Sequence, residues 1–301
     1  MSADNILVCR NPANAQINSA FEEIRSRGRT YEKLLRKNIF VTGASSGIGL
    51  ACAEVFAREG CTVTGVSRNC EEKTSHYPGG GSLTMRRMNV TDENAVAAVT
   101  GSLPRIDIAV LCAGMGVAGP AEELPMDLVR RQMEVNYFGT VTVAEAVLPR
   151  MREQGRGLLL MIGSIAGRVP IPMQSHYSSS KYALEAFSDA VRMEMRRFGV
   201  RASIIEPGDT RTGFTDARKY GISENSVYYE LCKNSVAKME QDERNGRSPQ
   251  TVAAAALKLA SQKNPPARVP VGAEYKLLMQ LLRVMPDRTK EWILTKMYLP
   301  E

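Results

Sequence analysis

Three side chains in the second half of the chain have the types and the spacing needed to move a proton to or from an oxygen atom. Tyr177 and Lys181 stand four residues apart, and Ser164 lies thirteen residues before the tyrosine. On a helix, residues i and i+4 share a face, so an ammonium beside a phenol would lower the phenol pKa from its usual value of about 10. A serine hydroxyl from another segment could hydrogen-bond the same substrate oxygen. An isolated Tyr-x-x-x-Lys is more often an ordinary exposed pair. The remaining motifs of the chain therefore decide whether this pair is catalytic.

A glycine-rich segment near the start of the chain is expected to bind phosphate. Residues 37–42 favour a strand, residues 50–59 have a helical pattern, and Gly43, Gly47 and Gly49 stand between them. Glycines let the backbone turn tightly and approach a pyrophosphate, and the helix N-terminus offers free N–H groups to the anion. The spacing Gly-x-x-x-Gly-x-Gly differs from the general dinucleotide fingerprint, and a simple tight turn is the alternative. The strand before the loop and the helix after it favour a dinucleotide site.

These motifs, taken in order, give the chain a resemblance to the classical short-chain dehydrogenase/reductase family, with its hydroxysteroid and retinol dehydrogenase-like members nearest. The resemblance extends from about residue 37 to about residue 215. It implies an NAD(P)-dependent oxidoreductase that acts on CH–OH groups. It also implies four catalytic residues, which are Asn136, Ser164, Tyr177 and Lys181.

Each of these four residues has an expected role in carbonyl reduction. Ser164 would hydrogen-bond the carbonyl oxygen while Tyr177 protonates it. Lys181 would favour the resulting tyrosinate and, as the resemblance implies, bind the nicotinamide ribose. Asn136 would hold a water molecule that links Lys181 to bulk solvent.

The resemblance further implies a set of cofactor contacts, which follow the ends of successive strands. Two of them depart from the family pattern. Cys112 replaces an asparagine, which removes a side-chain hydrogen bond to neighbouring backbone, and Asn89 replaces an acid, although its amide oxygen can still accept from the adenine amine. The whole set is Thr42, Gly43, Ser45, Ser46, Gly47, Ile48, Gly49, Ser67, Arg68, Asn89, Val90, Cys112, Ala113, Gly114, Tyr177, Lys181, Pro207, Gly208, Thr210 and Thr212.

The end of the second expected strand favours NADP over NAD. An acid at this position would bind the ribose 2′-hydroxyl of NAD, whereas an arginine accommodates the 2′-phosphate of NADP. Arg68 follows this strand and no acid precedes Glu71. A guanidinium forms strong forked hydrogen bonds to phosphate, and Ser45 could add a hydroxyl. The alternative is that Arg68 stacks on the adenine or points into solvent.

Length and the alternation of patterns predict one α/β domain with a Rossmann-type, doubly wound parallel sheet. The chain has 301 residues, 44% of them hydrophobic, and shows no second core. Strands are expected at 39–42, 62–66, 83–88, 106–112, 158–162 and 202–205, and a strand at 268–271 would close the sheet edge. We expect residues 1–36 to form an N-terminal extension, partly disordered. Residues 37–301 would form the catalytic domain, with a helical C-terminal substrate cap from about residue 210.

The C-terminal region combines apolar periodicity with cations at 275–286 and 292–299. Such helices most often cover a core or a cleft, and peripheral contact with a membrane is the alternative. No run reaches the roughly 18 apolar residues that a transmembrane helix needs.

The charge and the cysteine content limit the classes of binding partner and the compartment expected for the protein. The net charge is +7, but the cations are scattered and no nucleic-acid-binding module is recognisable, so the charge is interpreted as attraction to an anionic cofactor. The six cysteines and two histidines lack metal-site spacing, and no metal is expected. With no secretory signal, the thiols are expected to be reduced and the protein cytoplasmic. A homodimer or homotetramer is expected, because the helix 177–198 carries an apolar stripe, Ala183, Phe187, Ala190, Val191 and Met195.

The positions expected around the nicotinamide are mostly apolar, namely Met115, Val117, residues 169–173 and Phe214. An apolar cleft suits a lipophilic ketone or alcohol, and the family resemblance implies a hydroxysteroid-like or retinol-like substrate. Reduction of a 3-oxoacyl thioester is an alternative, because Arg130 and Arg131 could dock an acidic carrier. A redox sensor that binds NADP without turnover is another alternative, although its sequence mark, a damaged catalytic set, is missing.

Overall fold

A computed structural model describes residues 36–299 of the protein, so the extension expected over residues 1–36 lies almost wholly outside the described residues. The described part contains a large sheet and a two-stranded one. Their strands are β1 (Asn38–Thr42), β2 (Thr62–Ser67), β3 (Thr74–His76), β4 (Ser82–Arg87), β5 (Ile108–Leu111), β6 (Val117–Ala118), β7 (Gly157–Ile162), β8 (Val200–Pro207), β9 (Lys219–Tyr220) and β10 (Arg268–Val271).

Helices follow most of these strands, as a parallel sheet requires. They are α1 (Gly47–Arg58), α2 (Glu93–Gly101), α3 (Met126–Met133), α4 (Gly139–Glu153), α5 (Ser175–Met195), α6 (Tyr229–Asn245), α7 (Pro249–Ser261), α8 (Ala273–Val284) and α9 (Asp287–Tyr298). A short π-helical segment, Glu134–Phe138, connects α3 to α4.

The large sheet has the strand order β10-β8-β7-β5-β1-β2-β4-β3. Every neighbouring pair is parallel except β3 with β4. The chain builds outward from β1 through β2 to β4 and then returns to the other side of β1 with β5. The strand order therefore reverses between β1 and β5, and in such sheets ligands bind at the carboxyl ends of the strands beside this point.

Alternate residues of the strands enter two different cores. In β1, Ile39 and Val41 pack with α1 and α7 on one face of the sheet. Phe40 packs with α2, α4 and α5 on the other face. Side chains in a strand point alternately to opposite faces, and a parallel sheet is covered by helices on both. The doubly wound sheet predicted from the sequence is thereby confirmed, including the closing strand at 268–271.

Two features differ from the sequence-based picture. Strand β3 was not expected, and it pairs antiparallel with β4 at one sheet edge. The apolar stripe on α5 is largely used inside the subunit, because Val191 is buried and Phe187 and Met195 pack against the same core.

The C-terminal helices pack on the body of the protein through one face each. Met279 of α8 is buried against Ile165 and Val169, and Leu294 of α9 packs against the same cluster. This is the covering role that apolar periodicity favours. Within residues 36–299, no helix has the length and apolar character needed to cross a membrane.

Candidate active site

The loop after β1 has a shape that only glycine allows. Gly43 has a φ of +68°, and a Cβ atom added at Gly49 would lie 2.2 Å from the carbonyl oxygen of Gly43. Ser46 is extended, with a φ of −159°, and α1 begins at the next residue. The backbone can therefore come close to a bound group directly before a helix N-terminus, where N–H groups are free to bind an anion.

Thr42 lies beneath this loop and holds it to the next one. Its side chain is buried, and its Oγ1 accepts hydrogen bonds from the backbone N–H groups of Cys112 (2.9 Å) and Ala113 (3.1 Å). Thr42 does not line the cleft, so the structure places this predicted cofactor contact among the residues that fix the loop instead. These bonds also hold the backbone at the position where the family asparagine is replaced by cysteine.

Ser164, Tyr177 and Lys181 meet in a cleft of about 600 Å³ at the carboxyl ends of the strands. Ser164 follows β7 and hydrogen-bonds Tyr177, and its Oγ also accepts the N–H of Ala166 at 3.1 Å. Tyr177 and Lys181 share the first turns of α5. The Lys181 Nζ donates to the carbonyl oxygen of Ile162 (3.0 Å) and lies 5.7 Å from the centroid of the Tyr177 ring.

Burial controls the protonation of this site. It raises the pKa of Tyr177 to about 12, while the hydrogen bond with Ser164 acts in the opposite direction. Burial also lowers the pKa of Lys181 to about 8. The pKa shift of Tyr177 is opposite in direction to the one expected from the Tyr-Lys spacing, because the cost of placing a phenolate in a buried site exceeds the lowering by the Ser164 hydrogen bond. The phenol therefore carries its proton at neutral pH, as a proton donor must.

Asn136 lies in the π-helical segment and is fully buried. Its Oδ1 accepts the N–H of Met115 at 2.8 Å, and its Nδ2 donates to the carbonyl oxygen of Met115 and to Ser180 Oγ, both at 3.0 Å. Asn136 does not line the cleft. It joins the loop after β5 to α5, the helix that carries Tyr177, and π-helical turns are frequent at functional sites.

The structure brings the other predicted residues together in the same cleft. All of the predicted cofactor contacts except Thr42 line it. They end or follow β1, β2, β4, β5 and β8, or lie on α1 and α5, so the sheet assembles them from distant parts of the sequence. Asn89 lines the cleft while its side chain also hydrogen-bonds Thr91.

The end of β2 presents polar groups to one end of the cleft. Arg68 is exposed, lines the cleft and has no hydrogen-bond or ion-pair partner among residues 36–299. The hydroxyls of Ser45 and Ser67 lie 2.9 Å apart beside it. A cation and two hydroxyls are suitable donors for a phosphate group.

The other end of the cleft is apolar, and some of the apolar residues predicted to surround the nicotinamide line it. Met115 and Phe214 line it, and the Phe214 ring centroid is 5.8 Å from that of Tyr177. Ile171 also lines the cleft. Val117 and Val169, which were expected there, pack in the interior instead.

Several lining residues were not found by sequence reasoning. They come from the C-terminal helices and the segment before them: Asp209, Met239, Asp242, Glu243, Tyr275 and Tyr298. The sequence shows only helical periodicity there, which does not tell which face meets the cleft.

The carboxylates among these lining residues have partners. The hydroxyl of Tyr275 donates to Asp209 at 2.5 Å, and Glu243 accepts from Arg218 (2.5 Å) and Thr215 (2.6 Å). Burial raises the pKa of Asp209, and nearby Asp242 adds to this effect while the hydrogen bond from Tyr275 opposes it. The substrate end of the cleft thus combines apolar walls with an acidic margin.

A glycine loop at the strand reversal and a Ser-Tyr-Lys set beside it define a dinucleotide-dependent oxidoreductase. The family model described as short chain dehydrogenase matches residues 37–221. The chain belongs to this family, whose members use a nicotinamide cofactor to oxidise or reduce their substrates.

Individual relatives agree with this assignment. The chain is 36% identical over 261 residues to a 3-ketodihydrosphingosine reductase of Bacteroides thetaiotaomicron, covering 85% of this chain and 92% of that protein. It is 31% identical over 236 residues to dehydrogenase/reductase SDR family member 7B of Mus musculus, covering 72% of each. Among solved structures, a short-chain dehydrogenase from Streptomyces avermitilis superimposes with a TM-score of 0.73 at 29% identity, covering 86% of this chain and 96% of the other.

Proposed function

We propose that the protein is an NADP-dependent reductase of lipophilic carbonyl compounds. The observation that carries this proposal is the meeting of Ser164, Tyr177 and Lys181 where the apolar end of the cleft adjoins the glycine loop. Such a juxtaposition puts a protonated phenol beside the place where a carbonyl and a nicotinamide ring could face each other. NADPH, when bound, would supply the hydride.

One feature supports a dinucleotide cofactor, and a second supports NADP in particular. The glycine loop packs closely on the start of α1, since a Cβ at Gly49 would lie 2.2 Å from the Gly43 carbonyl oxygen, and such a loop suits the pyrophosphate that NAD and NADP share. Arg68 keeps its guanidinium free, with Ser45 and Ser67 beside it. These groups fit a 2′-phosphate and leave no acid there to select the 2′-hydroxyl of NAD.

The roles of the catalytic residues follow from their protonation. Tyr177, with its pKa raised to about 12, would donate its proton to the carbonyl oxygen. Ser164 would hydrogen-bond the same oxygen and stabilise the charge that develops on it. Lys181, when charged, would stabilise the tyrosinate that remains. Asn136 would position α5 against the loop at Met115, and it would also hold the water molecule that links Lys181 to bulk solvent.

The substrate is proposed to be a long-chain ketone. The apolar lining around Phe214, Met115 and Ile171 suits an aliphatic chain. Asp209 and Asp242 also line the cleft; Asp242 pairs with Lys238 at 2.9 Å, and the carboxylate oxygens that remain could accept hydrogen bonds from an ammonium group. A 3-oxo long-chain amine combines both properties, and the name of the Bacteroides relative refers to a ketone of this kind. Steroid ketones and retinal, which the sequence resemblance favours, are the other lipophilic candidates.

The experiment is the loss of NADPH absorbance, with NADH in parallel. The substrate panel contains 3-ketodihydrosphingosine, the corresponding long-chain ketone without the amino group, a steroid ketone, retinal and a 3-oxoacyl thioester. Turnover of a lipophilic ketone that is lost in Tyr177→Phe supports the proposal. Faster turnover of 3-ketodihydrosphingosine than of the ketone without the amino group supports recognition of the ammonium group by the carboxylates of the cleft. Tight NADPH binding without turnover of any compound would favour the redox sensor and contradict the proposal.

One observation favours the thioester as a second candidate. Arg131 is exposed and lines the cleft, and Arg130 beside it is also exposed. Cations at a cleft entrance can attract an acidic carrier. Faster turnover of a carrier-bound 3-oxoacyl thioester than of any lipophilic ketone, reduced by Arg131→Ala, would favour this function.

We also propose a homo-oligomer in the cytoplasm. Phe138 before α4, and Tyr182 and Met193 on α5, are large apolar side chains that stay exposed in the isolated chain. Exposed apolar side chains on neighbouring helices are typical of subunit interfaces. Light scattering after gel filtration measures the assembly, and Met193→Glu is expected to weaken it.

A further inference from the structure

The C-terminal helices α8 and α9 expose an unusual amount of apolar surface. They have 12 residues each, yet they carry five of the twelve large hydrophobic side chains that the described residues leave exposed. The five are Leu277, Leu281, Val284, Trp292 and Met297. A concentration of this kind marks an interaction surface.

On α8 the exposed apolar residues form a stripe opposite the packed face. Leu277, Leu281 and Val284 are spaced i, i+4 and i+7, so they lie along one side of the helix, and they are 58%, 48% and 82% exposed. The packed side is formed by Leu278 and Met279 with their neighbours. Helix α8 is therefore apolar on two sides, and packing within the subunit accounts for only one.

Cations without partners border the apolar stripe. Lys276 and Arg283, also spaced i and i+7, lie on the adjacent side of α8. Two of the three acids on the two helices are neutralised, Glu274 by Arg247 (2.7 Å) and Asp287 by Lys290 (3.1 Å). Four cations of α8 and α9 have no carboxylate partner among residues 36–299, and they are Lys276, Arg283, Arg288 and Lys296.

We propose that α8 and α9 dock on an anionic membrane surface, with Leu277, Leu281 and Val284 entering the headgroup region. An apolar stripe beside unpaired cations has the chemistry of interfacial helices, which combine apolar burial with attraction to anionic lipid. A second copy of the chain would offer the same cations and repel them. The stripe therefore fits an anionic lipid surface better than its own copy.

The position of these helices gives the docking a consequence for the cleft. Tyr275, in the first turn of α8, and Tyr298, the last residue of α9, both line the cleft. Docking through α8 and α9 would therefore place the lipid surface next to the two helices that border the cleft. This consequence rests on the proposed function, whereas docking itself does not.

The chain contains its own reporter of docking. Trp292 is the single tryptophan of the sequence, and it is 62% exposed on α9. The full chain is mixed with phosphatidylcholine vesicles prepared with and without phosphatidylglycerol. We expect the protein to float with the anionic vesicles. We also expect the Trp292 emission to shift to the blue and to be quenched by lipids brominated on the acyl chain.

Variants assign the contact to α8. Leu281→Glu is expected to weaken vesicle binding at least about tenfold, because a buried leucine is lost and a negative charge is added. Lys276→Gln with Arg283→Gln is expected to weaken it about thirtyfold through the loss of two charges. Val227→Glu is the matched control, since Val227 is 90% exposed on the loop before α6, and its binding is expected to stay unchanged. Far-ultraviolet circular dichroism and NADPH binding verify that each variant is folded.

Three results would overturn the proposal: no vesicle binding, equal binding with and without phosphatidylglycerol, or binding retained in Leu281→Glu, whether or not that variant changes its oligomeric state. None of these results depends on catalytic turnover. If the wild-type protein reduces a ketone but does not bind vesicles, only the docking proposal is refuted. If it binds vesicles but reduces no ketone, only the proposed function is refuted.

Discussion

Replacement of Arg68 by alanine should remove most of the preference for NADPH. Arg68 lies at the end of β2, lines the cleft and has no partner among residues 36–299. All of its N–H donors are therefore available to a phosphate. We expect KM for NADPH to rise in Arg68→Ala, and we expect KM for NADH to change little, because NADH has no phosphate at that position.

The size of the effect can be estimated from the contact. A hydrogen bond to a charged group contributes about 1.5–3 kcal/mol. Because Arg68 is exposed and solvent weakens charge interactions, the low part of that range applies, about 2 kcal/mol, or about thirtyfold in KM for NADPH. Ser45 and Ser67 keep their hydroxyls 2.9 Å apart at the same site, so a small preference for NADPH should remain.

The assay is kcat/KM for NADPH and for NADH with one saturating ketone. Arg156→Ala is the matched control, because Arg156 is exposed beside the amino end of β7, at the opposite end of the strands from the cleft. It removes the same charge and should leave the NADPH to NADH ratio unchanged. A wild-type preference for NADH, or an equal change of the ratio in both variants, would refute the role given to Arg68.

The other predictions concern the catalytic set, the glycine loop and a buried acid. Tyr177→Phe removes the proton donor and should lower kcat by about 10²–10⁴-fold while NADPH still binds. Reduction should slow as pH rises through about 8, because Lys181, with its pKa lowered to about 8, loses the charge that stabilises the tyrosinate. Gly49→Ala should weaken NADPH binding and lower Tm, since its Cβ would lie 2.2 Å from a carbonyl oxygen. Burial raises the pKa of Glu185 to about 7, so the stability that this group contributes is lost as pH rises from about 4.5 to 7, and Glu185→Gln should reduce this loss in urea unfolding.

Each of these predictions has a contradicting result. Residual activity above a few per cent in Tyr177→Phe would assign the proton to another donor. A rate of reduction that is flat between pH 7 and 9 would remove Lys181 from the step. Gly101→Ala, which meets no atom within 4 Å, should leave Tm unchanged or raise it, and an equal loss in both glycine variants would disprove the steric account. Parallel pH profiles of the free energy of unfolding in Glu185→Gln and the wild type would show that Glu185 does not titrate as stated.

The fold and most of the cleft could be predicted because they depend on local sequence patterns. The strands are short β-branched or aliphatic runs such as residues 158–162, and Gly43 and Gly49 are needed by the backbone itself. Strand β3 gave no signal, since its three residues are polar and its position depends on pairing with β4. The Tyr-Lys spacing predicts the wrong direction for the pKa shift of Tyr177, because the burial that raises this pKa is a property of the packed structure and cannot be inferred from spacing.

The residues on the C-terminal side of the cleft could not be predicted from the sequence for a different reason. Tyr275 and Tyr298 reach the cleft only because α8 and α9 fold back over the strand ends. Helical periodicity predicts that a face is covered, and it does not identify what covers it. The sequence cannot tell that Thr42 hydrogen-bonds the loop after β5, because residues that hold the loop and residues that bind a ligand lie side by side in the same motif.

The two edges of the large sheet limit how copies of this chain can join. Strand β3 closes one edge with three polar residues, Thr74–His76. The strand at the other edge, β10, contains Pro270, whose nitrogen has no hydrogen to donate to an added strand. Short or proline-bearing edges prevent one sheet from continuing into another. Within residues 36–299, extension of the large sheet from chain to chain, the first step toward a fibre, is therefore disfavoured at both of its edges.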